Sequence, residues 1–318
     1  MKRYLFVDYA TQGYSAVVAA LILCFHDSTV PYWAWLLAAH GLGLALTDGL
    51  IRTHARHPAS KLLDFLRHFY PILLYAAFFC ETGALNRLFF SHYLDPVVIG
   101  WEQALFGCQP SVLFMARFPY LALSEVFYAA YFSYYPMIAG VGLALFLRNR
   151  QWFFHYVSVI SFVFYVCYLL YIFLPVIGPP AFFHTYPGFR LNPALEQLAG
   201  ANPYPPTVET GLFFRLVEWI WSVFEAPGSA IPSSHVAVAI ATAWFSFRYL
   251  RPIRWYHLGA VVLLCLATVY CRYHYGVDVL AGALTAAVLI PLGNWLYFKG
   301  FPASQAQVLS VAPDAPAR

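Results

Sequence analysis

The residues best suited to chemistry are two histidines and an aspartate. His235 follows the run Gly228-Ser-Ala-Ile-Pro-Ser-Ser and opens an apolar stretch, while His274 stands four residues before Asp278. A carboxylate at i, i+4 on a helix beginning near Tyr275 approaches the imidazole, fixes its tautomer and stabilises its cation. An imidazole so oriented can attack phosphorus through Nε2, and a second imidazole can protonate the departing oxygen. A helix that starts at His235 turns its free N–H groups toward an anion. Ser233 and Ser234 precede that histidine, the latter with a backbone N–H for a phosphate. The arginines nearest the motifs are Arg272 and Arg190, and a guanidinium suits bidentate phosphate contact. His-x-x-x-Asp at a helix start also suits zinc or manganese, but no further carboxylates converge on it, so the expectation is no metal and no cofactor.

The elements that position these residues are membrane helices. Of 318 residues, 61% are hydrophobic and only 10% charged, against roughly 25% charged in a soluble domain. Measured against the roughly 20 apolar residues needed to span a bilayer, the chain offers about eight spans: Gly13 to Phe25, Tyr32 to Ile51, Phe69 to Leu85, Leu121 to Leu147, Trp152 to Ile177, His235 to Leu250, Trp255 to Cys271 and Val277 to Phe298. The short link between the sixth and seventh makes an antiparallel hairpin, which brings His235 and His274 to one membrane surface. The fold class is an all-α polytopic integral membrane protein. Its last three spans, with the fourth and fifth, are expected to surround the cavity.

Charge sets the orientation. With eight spans and a cytoplasmic N-terminus, most Lys and Arg fall on the inner side, and Arg87, Arg117, Arg190, Arg215 and Arg272 fall outside. Both termini are then cytoplasmic and the active site faces away from the cytosol. The net charge of +4 sits between apolar runs, an orienting pattern rather than a nucleic-acid surface. The six cysteines show no CxxC spacing, and neither a P-loop nor a GxGxxG after a strand pattern is present.

The run Pro232-Ser-Ser-His235, with His274-Tyr-Gly-Val-Asp278-Val-Leu-Ala-Gly282, resembles motifs two and three of the type 2 phosphatidic acid phosphatase superfamily. Tyr171-Ile-Phe-Leu-Pro175-Val-Ile-Gly-Pro179-Pro180, Asp95-Pro, Glu102 and Leu105-Phe-Gly-Cys-Gln-Pro110 resemble its inositol phosphorylceramide synthase branch. The likeness runs from about residue 65 to 298. It implies a six-helix phosphatase-like core, with His274 as the nucleophile of a phosphohistidine, His235 as general acid and Asp278 as the partner of His274. The superfamily's first motif, a Lys followed six residues later by Arg-Pro, is absent after Pro175, where His184 and Arg190 stand. Ala267 and Thr268 replace the Ser-Arg that opens the third motif, leaving Arg272 as the nearest guanidinium, and Ser234 replaces the glycine of the second.

The expected organisation is a transmembrane hairpin over 1–64, a catalytic membrane domain over 65–300 and a disordered cytoplasmic tail over 301–318. The expected activity is metal-independent dephosphorylation of a membrane lipid phosphate. The alternatives are head-group transfer to a lipid or inositol hydroxyl, and a non-enzymatic transporter or lipid-binding protein. His26, His40, His92, His155 and His257 read as structural. Glu81 and Glu125, in apolar helices or at their edges, either line the cavity or make structural hydrogen bonds.

Overall fold

The computed structural model describes residues 4–28, 30–185, 204–224 and 226–300. Arg190 and the tail from residue 301 lie outside the described residues. Among those described there are helices and no strands: α1 (Phe6–Phe25), α2 (Trp33–Arg56), α3 (Lys61–Leu85), α4 (Asp95–Phe106), α5 (Pro110–Arg117), α6 (Leu121–Phe132), α7 (Tyr134–Arg148), α8 (Arg150–Phe173), α9 (Pro179–Thr185), α10 (Pro206–Glu209), α11 (Leu212–Phe224), α12 (Ser234–Tyr249), α13 (Arg254–Tyr270) and α14 (Gly276–Trp295).

Among the described residues, seven helical stretches are long and apolar enough to cross a membrane: α1, α2, α3, the α6–α7 pair, α8, Arg251–Tyr270 and Gly276–Lys299. The chain is a multi-pass membrane protein. The remaining expected span, α12, has 16 residues, short of the roughly 20 needed to cross the hydrocarbon core unaided. Its small side chains, Ala237, Ala239, Ala241 and Ala243, are buried and let it pack on α7, α8, α13 and α14.

The centre of the bundle is α8, buried along most of its length from Phe153 to Ile172 and packed against α1, α3, α7, α12 and α14. Residues of α1, including Val7, Tyr14 and Val18, share one apolar core with α8.

Three spans differ most from the pattern read in the sequence. The third span begins at Lys61 rather than Phe69, where the Ser60 hydroxyl caps it by accepting from the Leu63 N–H. The first begins at Phe6 rather than Gly13, because Asp8 is neutralised inside the bundle by Arg67 of α3 and accepts a 2.6 Å hydrogen bond from Tyr70. The fourth breaks at Ser133 into α6 and α7. Pro136 has no N–H for the carbonyl of Phe132, and its ring crowds that carbonyl. The break turns both Tyr131 and Tyr134 toward His235, with ring centroids 5.0 and 4.5 Å from the imidazole.

Both glutamates make structural hydrogen bonds. The Glu125 carboxylate accepts the N–H groups of Leu212 and Phe213 and so caps α11. Glu81 accepts from Tyr14 and lies 3.1 Å from His40 Nε2.

Candidate functional site

The antiparallel pair α12–α13 brings its far ends to one surface, as the short link requires. Ser233 caps α12, its hydroxyl accepting from the Val236 N–H, and sets His235 in the first turn. After α13 the chain turns through Cys271 to Tyr275, with the His274 N–H held by the carbonyl of Thr268, and α14 begins at Gly276.

Close helix approach completes the site. The Ser233 N–H donates to the carbonyl of Asp278 at 3.1 Å. A side chain on Gly282 would sit 2.5 Å from the Ser233 carbonyl, so only glycine lets α14 come this near the loop before α12. From α8, Tyr171 donates its hydroxyl to the Pro232 carbonyl and accepts the Ser234 N–H, both at 3.1 Å.

The two imidazoles face each other, His274 Nε2 lying 3.4 Å from His235 Nδ1. On the other side of His274, Nδ1 is 3.0 Å from the Ala230 carbonyl and 3.4 Å from Asp278 Oδ2. Both neighbours are acceptors, so the neutral ring carries its proton on Nδ1 and leaves a lone pair on Nε2. Asp278 has two tasks, since the same Oδ2 accepts the Tyr275 N–H at 2.9 Å and caps α14. Its other oxygen is buried without a hydrogen-bond partner among the described residues, a reserve of negative potential beside an imidazole that becomes cationic.

Sequence reasoning missed Tyr131. Its hydroxyl is 3.1 Å from His235 Nε2 and accepts from Trp221 Nε1 at 3.4 Å. A phenol both donates and accepts, so Tyr131 serves His235 in either protonation state. The signal was Pro136, which forces the break that aims α6 at the site.

The carboxylates of α4 brace the same loops. Asp95 accepts the N–H groups of Ile177 and Gly178, each at 3.0 Å, and the Tyr275 hydroxyl at 2.9 Å. Glu102 accepts the Gly276 N–H at 2.7 Å and the Ser111 hydroxyl at 3.1 Å. Burial pushes both carboxyls up to about 7 against the pull of those donors.

Other expected phosphate contacts stand elsewhere. The Ser234 N–H is spent on Tyr171 rather than left for an anion, although Ser234 borders the cavity. Arg272, buried and left-handed at φ 65°, sends Nη2 to the Val112 carbonyl of α5 at 3.0 Å. It braces α5 and is not among the residues bordering the cavity. The left-handed turn, invisible as a pattern, sets that direction. Among the described residues no three His, Cys, Asp or Glu side chains form a metal-ligand group.

His235 and His274 border a cavity of about 610 Å3, otherwise walled mostly by apolar and aromatic side chains of α3, α7 and α8, with α11 and the loop before α12 closing the histidine end. The last three helices supply only its polar head. Of the five spans expected to surround the cavity, the fourth (through α7) and the fifth (α8) do line it, α3 joins them, and the last three contribute only the α12 start and the turn before α14 as a rim. Trp221 and Tyr273 stack at 4.3 Å over this end.

No curated protein and no solved structure matches the chain. The family model of the PAP2 superfamily matches residues 97–292, a stretch that runs from α4 into α14 and holds both histidines, Asp278, Tyr131 and Glu102, with Asp95 just before it. With that match over more than half its length, the chain belongs to the PAP2 superfamily.

Proposed function

We propose that this protein dephosphorylates a membrane lipid phosphate through a phosphohistidine on His274. Membership of the superfamily supports phosphatase or phosphotransferase chemistry. The observation that carries the specific reading is the facing pair, His274 Nε2 against His235 Nδ1 at 3.4 Å, at the polar end of an apolar cavity.

In the first step a substrate phosphate enters between the imidazoles. The bond from His274 Nε2 to phosphorus forms as the phosphorus–oxygen bond to the lipid breaks, and protonated His235 gives its Nδ1 proton to the departing oxygen. Asp278 and the Ala230 carbonyl hold the Nδ1 proton of His274 and offset the charge of the phosphoryl-imidazolium. Water then attacks phosphorus, its proton passes to His235, the nitrogen–phosphorus bond breaks and inorganic phosphate leaves. The N-terminus of α12 supplies positive potential to the phosphate. Our candidate guanidinium for the clamp is Arg190, with Arg272 acting through the position of α5. The reaction calls for no metal and no cofactor. The excess of Lys and Arg on the opposite side supports a site on the extracytoplasmic face with both termini in the cytoplasm.

Transfer to an alcohol is the second reading, because His274 is only 3% exposed beneath the Trp221–Tyr273 stack, and a dry site favours a hydroxyl acceptor over water. The test is product analysis with purified protein in EDTA, across lipid phosphates, with and without inositol or ceramide, beside His274→Ala. Free phosphate that disappears in the variant supports dephosphorylation, and a new phospholipid supports transfer. Activity that survives His274→Ala, or that EDTA removes, overturns the mechanism.

A further inference from the structure

The cavity extends far from the histidines. Its walls are α3 and α7, where Ile72 and Ala76 stand across from Ile138 and Ala139, and its back is α8, with Val157, Ile160 and Phe164. At the far end Phe69 and Phe153 border it. Phe146 packs behind them, its ring 4.9 Å from Phe69 and 5.2 Å from Phe153, with Phe69 and Phe153 5.3 Å apart. Along α8, Phe153 and Tyr168 mark the bottom and top of the lining, a separation of about 22 Å at the helical rise. The hydrocarbon core of a bilayer is about 30 Å thick, so a cavity that opens at the histidines passes the bilayer midplane.

Polar groups inside this space are turned away from it. Tyr75 bonds to Ser161, Tyr156 to the Ile138 carbonyl and Tyr168 to the Tyr75 carbonyl. Away from the histidine end, what faces the void is mostly hydrocarbon, which suits an acyl or prenyl chain better than a sugar or a head group.

We propose that the cleft seats one hydrocarbon chain of the phosphate-bearing lipid, longer than a single leaflet, and that the Phe69–Phe146–Phe153 plug sets its length. This rests on the lipid-phosphate reading above. Lipid tails and the cleft are alike apolar, so transfer between them carries little hydrophobic gain, and length is read by fit. A chain that is too long meets the plug, and one that is too short leaves lining atoms without partners. A second chain, where the lipid has one, stays in the bilayer.

The experiment is phosphate release from octanoyl, palmitoyl and arachidoyl single-chain lipid phosphates by the full-length protein in nanodiscs. Ala76→Phe and Ala139→Phe fill the cleft midway, and both alanines are exposed, so the larger rings displace no packed neighbour. Each is expected to lower the ratio of palmitoyl to octanoyl turnover about tenfold, the scale of overpacking a fitted site. Phe146→Ala opens the plug and moves the optimum toward arachidoyl. Leu42→Phe, on an exposed position of α2, leaves the ratio at the wild-type value. A ratio that Ala76→Phe and Ala139→Phe leave unchanged overturns the proposal. A palmitoyl lipid carrying a terminal photoreactive group is the second measurement, which needs no turnover. Labelling at the α3, α7 and α8 residues around Phe146 supports the cleft, and labelling confined to outward faces such as α2 overturns it. Absent phosphate release with labelling around Phe146 would reject the dephosphorylation reading alone.

Discussion

Two of the buried polar clusters in this bundle differ above all in access. Between α1 and α3, Asp8 meets Arg67 and Tyr70, and both of its oxygens are occupied, Oδ2 by Arg67 and the Leu5 N–H and Oδ1 by Tyr70. Around α12 and α14, His235, His274 and Asp278 are just as enclosed, yet Asp278 keeps an oxygen without a hydrogen-bond partner among the described residues and the histidines border a cavity. An ionisable group inside a span invites a functional reading. Here each cluster leaves one buried polar atom without a hydrogen-bond partner among the described residues, Arg67 Nη1 in the first and Asp278 Oδ1 in the second, but only the second stands where a ligand can arrive.

The sharpest way to break that contrast is to remove one member of each. His274→Ala is expected to lower turnover at least about a thousandfold, as losing a nucleophile does, with little change in thermal midpoint. Arg67→Ala leaves Asp8 buried and uncompensated, and breaking a buried pair in this way costs about 3–5 kcal/mol, so the midpoint falls while turnover per folded molecule is retained. Measuring both quantities on both variants decides it. If Arg67→Ala abolished turnover with the fold intact, the N-terminal cluster would belong to the mechanism.

The next contrast lies within the site. Tyr131 touches His235 through its hydroxyl, whereas Tyr134 meets the same imidazole with its ring at 4.5 Å. A hydrogen bond to a charged group contributes about 1.5–3 kcal/mol. Tyr131→Phe should therefore lower kcat about tenfold or more. It should also move the alkaline limb of the pH–rate profile to lower pH, since the imidazolium has lost its acceptor. Tyr134→Phe keeps that limb in place. A limb that stays put in Tyr131→Phe, despite a lower kcat, would make Tyr131 a packing residue and remove it from the proton path.

How far the sequence reveals these regions follows from the range of the forces involved. The α12–α13 hairpin, the cap at Ser233 and the i, i+4 pairing of His274 with Asp278 are local, and each is legible as spacing. The expected start of α1 failed because a partner 59 residues away neutralises Asp8. Arg272 points toward α5 because its backbone is left-handed, a conformation that the sequence pattern around a non-glycine residue does not announce. Tyr131 is one of 24 tyrosines, and only the break at Ser133 distinguishes it. Glu102 could be singled out by its family resemblance, but its bond to Gly276 spans 174 residues and left no periodic trace.

That long bond gives the subtlest prediction. The Glu102 carboxyl is raised to about 7 by burial, so between the ordinary carboxylate range and about pH 7 the folded protein binds more protons there than the unfolded chain. Stability from this group is then fullest at low pH and falls as pH rises through about 7. Asp95, also raised to about 7, adds a second contribution of the same sign. Glu102→Gln keeps a carbonyl for the Gly276 N–H and an amide for the Ser111 hydroxyl, but no longer titrates. The thermal midpoint of the wild type in detergent should decline from about pH 5 to about pH 8, and the variant should decline by roughly half as much, with Asp95 responsible for the remainder. A variant with the full wild-type slope would place the titration elsewhere. The brace would then act through hydrogen-bond geometry alone, closer in kind to the self-neutralised cluster of α1 and α3 than to the histidine pair it supports.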